Sequence, residues 1–119
     1  MDYWLDVKTA GPAKDLNSAI KADAEAAHAS DAPVSDDGIG LRSEGKLRGP
    51  GADLLSLLLT IPAGVAVDVA ADQIKRYLRR KGGDHRIKEA TIRWTEETVD
   101  ADGNVTTNER DQRVELDES

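Results

Sequence analysis

The chain has 119 residues, with 16 Lys and Arg against 23 Asp and Glu, a net charge of −7 and no cysteine. One compact domain is expected at this length, and the lack of cysteine excludes disulfides, thiol catalysis and cysteine zinc sites. Phe is also absent, so the core must be built from Leu, Ile, Val and Ala, with Tyr3, Trp4, Tyr77 and Trp94 as the aromatic side chains.

Tyr3, Leu5 and Val7 alternate with Trp4, Asp6 and Lys8, which predicts a first strand over residues 3–8. Gly11-Pro12 closes it, and Pro12 suits the first turn of a helix running to about His28. Leu16, Ile20, Ala24 and Ala27 form a thin apolar stripe on that helix, as expected for one face on a sheet and the other in solvent. Residues 29–50 are dense in Ser, Asp, Pro and Gly and read as a flexible loop region, with a short strand near 38–44 and a loop over 45–51.

The stretch from Gly51 to Gly83 starts as an almost uncharged apolar run and ends in cations, and it reads as a long helix. Pro62 would either kink that helix or separate a short helix ending near Leu59 from a second one capped by Thr60. Leu54, Leu58, Ile61, Val65, Ile74 and Leu78 are then expected to dominate stability, at roughly 1.5–3 kcal/mol for each buried Leu or Ile. Gly82-Gly83 marks the expected stop. Strands at 86–98 and 105–116 flank the turn residues Asp100 to Asn104, and the polar tip of this hairpin is expected to project. The expectation is a single α+β domain over 1–119 in β-α-β-α-β-β order. Its sheet is mainly antiparallel, with the helices on one face.

Charge is strongly segregated. Residues 1–74 carry 6 basic and 12 acidic side chains, residues 75–88 carry 7 and 1, and residues 89–119 carry 3 and 10. The basic island comprises Lys75, Arg76, Arg79, Arg80, Lys81, Arg86 and Lys88, and these are the candidate partner-binding residues. Cations near a helix C-terminus also serve the helix dipole, so a solvated helix end is the plain alternative. Nucleic acid is not expected as a partner, because broad binding needs cations across a surface and Tyr77 is the one aromatic in the island.

No catalytic constellation is legible, and a non-enzyme without a cofactor is expected. His28 and His85 stand apart, and no serine sits in a nucleophile elbow. Asp100, Asp102, Gly103 and Asn104 share residue types with a calcium loop, but the glycine is misplaced and no glutamate closes the pattern, so a hairpin turn is expected. Asp36-Asp37 reads as loop. The apolar run from Leu54 to Val67 is shorter than the roughly 20 residues of a spanning helix and is followed by Asp68 and Asp72, which favours a core helix. The N-terminus MDYWLDVKT lacks the basic start and apolar core of a secretory leader, so a cytoplasmic location is expected.

The segments GADLLSLLL, AGVAVDVAADQIKRYLRRKGG, RIKEATIRWTEE and RVELDES together resemble the effector-associated constant component domains of bacterial, largely actinobacterial, conflict systems. The likeness covers roughly residues 45–119. It departs from the family pattern at Pro62 and in the longer, more acidic hairpin. The resemblance implies a small non-enzymatic adaptor that recruits or regulates an effector protein in bacterial defence, with no catalytic residues to carry over. Two other readings stand beside it. One is an immunity-type inhibitor whose acidic hairpin, Glu96 to Asp111, covers a basic toxin. The other is a membrane-active effector that releases a 54–78 helix. The sequence also permits a homo-oligomer.

Overall fold

The strand read at the N-terminus forms β1, Tyr3–Thr9, and it lies near the middle of the sheet. The computed structural model describes residues 3–49, 51–85 and 87–116. Leu5, Val7 and Thr9 are buried on one side of β1, and Trp4, Asp6 and Lys8 point to the other, as the alternation predicts.

Helix α1 spans Lys14–Ala26 and buries Leu16 and Ile20. Of the remaining stripe, Ala24 is partly buried and Ala27 is exposed. The helix ends in a Schellman arrangement: His28 N–H donates to Glu25 C=O (3.0 Å) and Ala29 N–H to Ala24 C=O (3.0 Å), with His28 at φ 52°. His28, one of two histidines in the chain, thus occupies the left-handed position that closes a helix.

Residues 29–50 contain more regular structure than their composition suggested. They hold the short strand β2, Ala32–Pro33, and the nine-residue strand β3, Gly40–Arg48. The register of β3 slips between Ser43 and Leu47, where a Gly-containing, polar stretch departs from simple alternation.

The main departure from expectation is at residues 54–60. Leu54–Thr60 is strand β4, not helix, and it pairs antiparallel with β1 on one side and β3 on the other. A short apolar run bounded by turn residues has no period that separates strand from buried helix. Pairing along both edges decides it, overriding the helix preference of leucine. Pro62 lies in the connection to α2, Val67–His85, and Thr60 caps no helix. The helix also runs through Gly82-Gly83 to His85, with β5 beginning at Ile87.

The reassignment changes which side chains hold the protein together. Leu55, Leu57 and Leu59 face the helices and are at most 3% exposed, whereas Leu54 and Leu58 lie on the opposite face and are only partly buried. Ile61 and Val65 pack on the margin of the core, and Ile74 and Leu78 are fully buried as expected.

Strands β5, Ile87–Val99, and β6, Val105–Val114, complete a six-stranded antiparallel sheet in the order β2-β3-β4-β1-β5-β6. The two helices pack on one face, where the buried residues of all strands gather. The expected α+β class holds. Element order is β-α-β-β-β-α-β-β.

The C-terminal hairpin projects as its polarity suggested. β1 stops pairing with β5 at Tyr3–Trp94, but the β5–β6 ladder continues to Val99–Val105. The radius of gyration, 15.1 Å, therefore exceeds the roughly 13.5 Å of a compact chain this long. At the tip, the Asp100 carboxylate accepts from the backbone N–H groups of Asp102 and Asn104, both at 2.9 Å. The backbone N–H of Asn104 first, against an upward push from desolvation, and then the other donors of the turn hold its pKa below the usual carboxylate value. Gly103 completes the turn at φ +83° with no atom near where a Cβ would stand. Backbone strain alone should therefore make Gly103→Ala cost about 1 kcal/mol in chemical denaturation, with the same core and helix content.

Candidate functional site

Helix α2 places its side chains in three groups. Ala70, Ala71, Ile74, Tyr77 and Leu78 enter the core. Gln73, Arg76 and Arg80 look toward the β2–β3 connection, while Lys75 and Arg79 fall on the opposite flank at 100° per residue. The first flank forms one wall of an open groove of about 790 Å³, whose other wall is Pro33, Val34, Ser35, Asp36 and Asp37. A second hollow of about 480 Å³ shares Pro33 and Arg80 and reaches the end of α1 at Asp23, Ala26 and Ala27.

The second hollow is organised by one cluster. Tyr77 is 3% exposed and donates its hydroxyl to Asp23 Oδ2 at 2.5 Å. Lys81 Nζ reaches both Asp23 oxygens, at 3.1 and 2.9 Å. The Arg80 guanidinium and the Lys81 ammonium lie 5.8 and 5.7 Å from the centre of the Tyr77 ring, within cation–π range. Burial pushes the Asp23 pKa upward, but the bonds from Tyr77 and Lys81 and the charges of Lys81 and Arg80 outweigh it and hold the carboxyl below its usual value. Burial first, then the bond to Asp23 and its charge, raise the Tyr77 phenol well above the usual tyrosine value, against a smaller opposing pull from Arg80.

In the larger groove, Gln73 donates its amide to Asp37, and its carbonyl oxygen is buried without a partner among the described residues. Arg76 pairs with Asp72 one turn earlier at 3.1 Å. Both members of that pair are highly exposed, so it contributes little and leaves Arg76 available for exchange.

The sequence-derived island is therefore divided. Arg76 and Arg80 line the groove, and Arg80 and Lys81 line the second hollow. Lys75 and Arg79 lie on the far flank of α2, and Lys88 is exposed at the start of β5. Arg86 lies outside the described residues. Asp23, Asp36, Asp37 and Gln73 were not singled out as site residues. Asp36-Asp37 reads as an ordinary charged loop, and Asp23 is 54 residues from the tyrosine that it meets. Among the described residues, no group of three or more His, Asp or Glu side chains is placed to hold a metal ion. No described helix is long and apolar enough to cross a membrane, and residues 54–78 do not form one helix.

The chain matches no protein-family model, no curated protein and no solved structure.

Proposed function

We propose that the chain is a non-catalytic protein-interaction module, an adaptor that recruits or regulates an effector in a bacterial defence system. The observation that carries this reading is the groove beside α2, where two guanidiniums one turn apart on one wall share an open channel with Asp36 and Asp37 on the other. Such a channel suits a polypeptide segment with charges of both signs, since each wall discriminates against the wrong one. The pattern-level resemblance to effector-associated domains supplies the defence setting.

The test is co-purification with the products of adjoining genes. Reversing Arg76 and Arg80 to Glu should reduce capture at least about tenfold with the thermal midpoint unchanged within a few degrees. Undiminished capture by a folded variant would overturn the groove as the docking site.

The projecting hairpin favours a second reading, an inhibitor of a basic toxin. Beyond Trp94 the ribbon pairs, among the described residues, only with itself and carries Glu96, Glu97, Asp100, Asp102 and Glu109, with Arg110 opposite Trp94 at its base. Binding through it would weaken steeply with salt and would survive the Arg76 and Arg80 reversals.

A further inference from the structure

The two edges of the sheet are built differently. At one edge, β2 is two residues long and ends in Pro33, and the register of β3 beside it slips between Ser43 and Leu47. A short strand, a proline and a bulge all keep further strands from pairing. At the other edge, β6 runs ten residues in an unbroken register against β5, with no proline or glycine. Among the described residues, no strand and no backbone hydrogen bond reaches its outer side.

The hairpin fixes which groups that side offers. Asp100 N–H donates to Asn104 C=O at 3.0 Å, and bonded and non-bonded pairs alternate along an antiparallel ladder. Even-numbered residues of β6 therefore bond to β5, while the N–H and C=O groups of the odd-numbered residues, Val105 to Arg113, turn outward. Val114 is buried on the helix side. The odd-numbered side chains thus lie on the open face of the sheet, turned away from both helices and uncovered by any described element.

The charges of that row decide what the edge accepts. Glu109 and Asp111 are adjacent on it, and Glu97 of β5, opposite Thr107, is the diagonal neighbour of Glu109. None of the three has an ion-pair partner among the described residues. Arg93, opposite Asp111, is held by Asp6 at 3.1 Å, and Arg113 lies 3.8 Å from Glu89. On the helix-side face of β6, Arg110 is already paired with Glu96 at 3.2 Å. An added strand meets two adjacent carboxylates on one face and neutral or neutralised side chains on the other. Opposite charges directly across strands stabilise pairing, and like charges oppose it. A second copy of β6 is excluded on this ground. Directly opposed residues share a face, so a two-fold antiparallel pair centred on Glu109, Arg110 or Asp111 sets Glu109 against Glu109, Glu109 against Asp111, or Asp111 against Asp111.

We infer that the outer edge of β6 is a strand-addition site, and that its occupant is an extended basic segment of a partner protein with Lys or Arg at alternate positions. Backbone bonds to the outward N–H and C=O groups supply affinity, and cations opposite Glu109 and Asp111 supply the choice of partner. The site is independent of the groove beside α2. It rests on the second reading above, in which the hairpin meets a basic partner, and gives that contact a geometry.

Amide NMR of the full chain, titrated with the end-blocked peptide TKTKTKT to about 5 mM in about 50 mM salt, tests this. The amides of Thr107, Glu109 and Asp111 should shift and exchange more slowly with solvent. The peptide TKKTTKT has the same charge but no cations two residues apart, and it should bind at least about fivefold more weakly. Thr107→Pro removes an outward N–H while leaving the bonds to β5 in place, and it should weaken binding at least about fivefold. Glu109→Lys leaves the backbone untouched and should weaken it as much, whereas Arg80→Glu should change nothing. The β5–β6 amide resonances report whether each variant keeps the hairpin. Absence of shifts along β6 overturns the inference, as does equal binding of the two peptides. Binding lost in Glu109→Lys but kept in a folded Thr107→Pro also overturns strand addition, and leaves the acidic hairpin as a docking surface through its side chains alone. None of these outcomes bears on capture of an effector by the groove.

Discussion

Leu57→Ala should lower unfolding stability by about 2–5 kcal/mol, while Leu58→Ala, one residue away, should lower it by less than about 1 kcal/mol. Leu57 is completely buried on β4, facing the helices and lying opposite Leu5 of β1. Its truncation removes transfer energy and leaves a cavity between a central strand and two helices, which cannot collapse without disturbing several neighbours. Leu58 lies on the uncovered side of the sheet, partly exposed, with Trp4 and Arg42 opposite it on the two neighbouring strands. A domain of this size has roughly 5–15 kcal/mol of stability in total, so the first variant could lose a third or more of it. Urea denaturation of the two variants in parallel is the measurement. Equal losses would mean that residues 54–60 do not alternate and that β4 is wrongly assigned.

The second large effect is expected at alkaline pH. Tyr77 keeps its proton in the folded protein because it is buried and donates to Asp23. An unfolded tyrosine ionises near pH 10. The folded pKa is the higher of the two, so the contribution is fully present below pH 10 and is lost as pH rises through the folded value. In that interval the unfolded chain has released a proton that the folded chain retains, and stability should fall by up to about 1.4 kcal/mol per pH unit. Tyr77→Phe should be less stable than the parent at pH 8 by roughly 1.5–3 kcal/mol, the worth of a hydrogen bond to a charged group. The gap should narrow as pH rises above 10. Denaturation midpoints of both proteins between pH 8 and 11.5 check this, and a constant gap would rule out the Tyr77 phenol as its source. Asp23 behaves in the opposite sense. Its folded pKa is lowered, so its contribution is present at neutral pH and is lost as pH falls through about 4 and below.

These two residues illustrate why only part of the molecule was legible. Tyr77 belongs to a clear helical stripe with Ile74 and Leu78, and its burial could be read from spacing. Its partner could not, because Asp23 lies on another helix and nothing local links the two. Leu57 was legible as part of an apolar run, but a helical stripe drawn through that run put Leu54 and Leu58 in the core instead, since seven uncharged residues offer no contrast between faces.

The basic island shows the same division. Its existence is a matter of composition, but its splitting into a groove-facing set and a far-flank set follows from how α2 is rotated against the sheet. The open face is a stronger instance. Trp4, Arg42, Arg48, Leu58, Arg93 and Asp111 span most of the chain and become neighbours only through strand pairing.

By itself, the sequence determined the α+β class, β1, α1, the basic second half of α2 and the C-terminal hairpin with its polar tip. Each of these has a local cause: alternation, a helical period, a turn motif, or a contrast of charge between faces. The tertiary structure alone decided that Leu54–Thr60 is a central strand, that residues 40–48 pair beside it, and which charges meet across the groove and the uncovered face. Those features depend on contacts between residues far apart in the chain, and sequence periodicity carries no information about such partners.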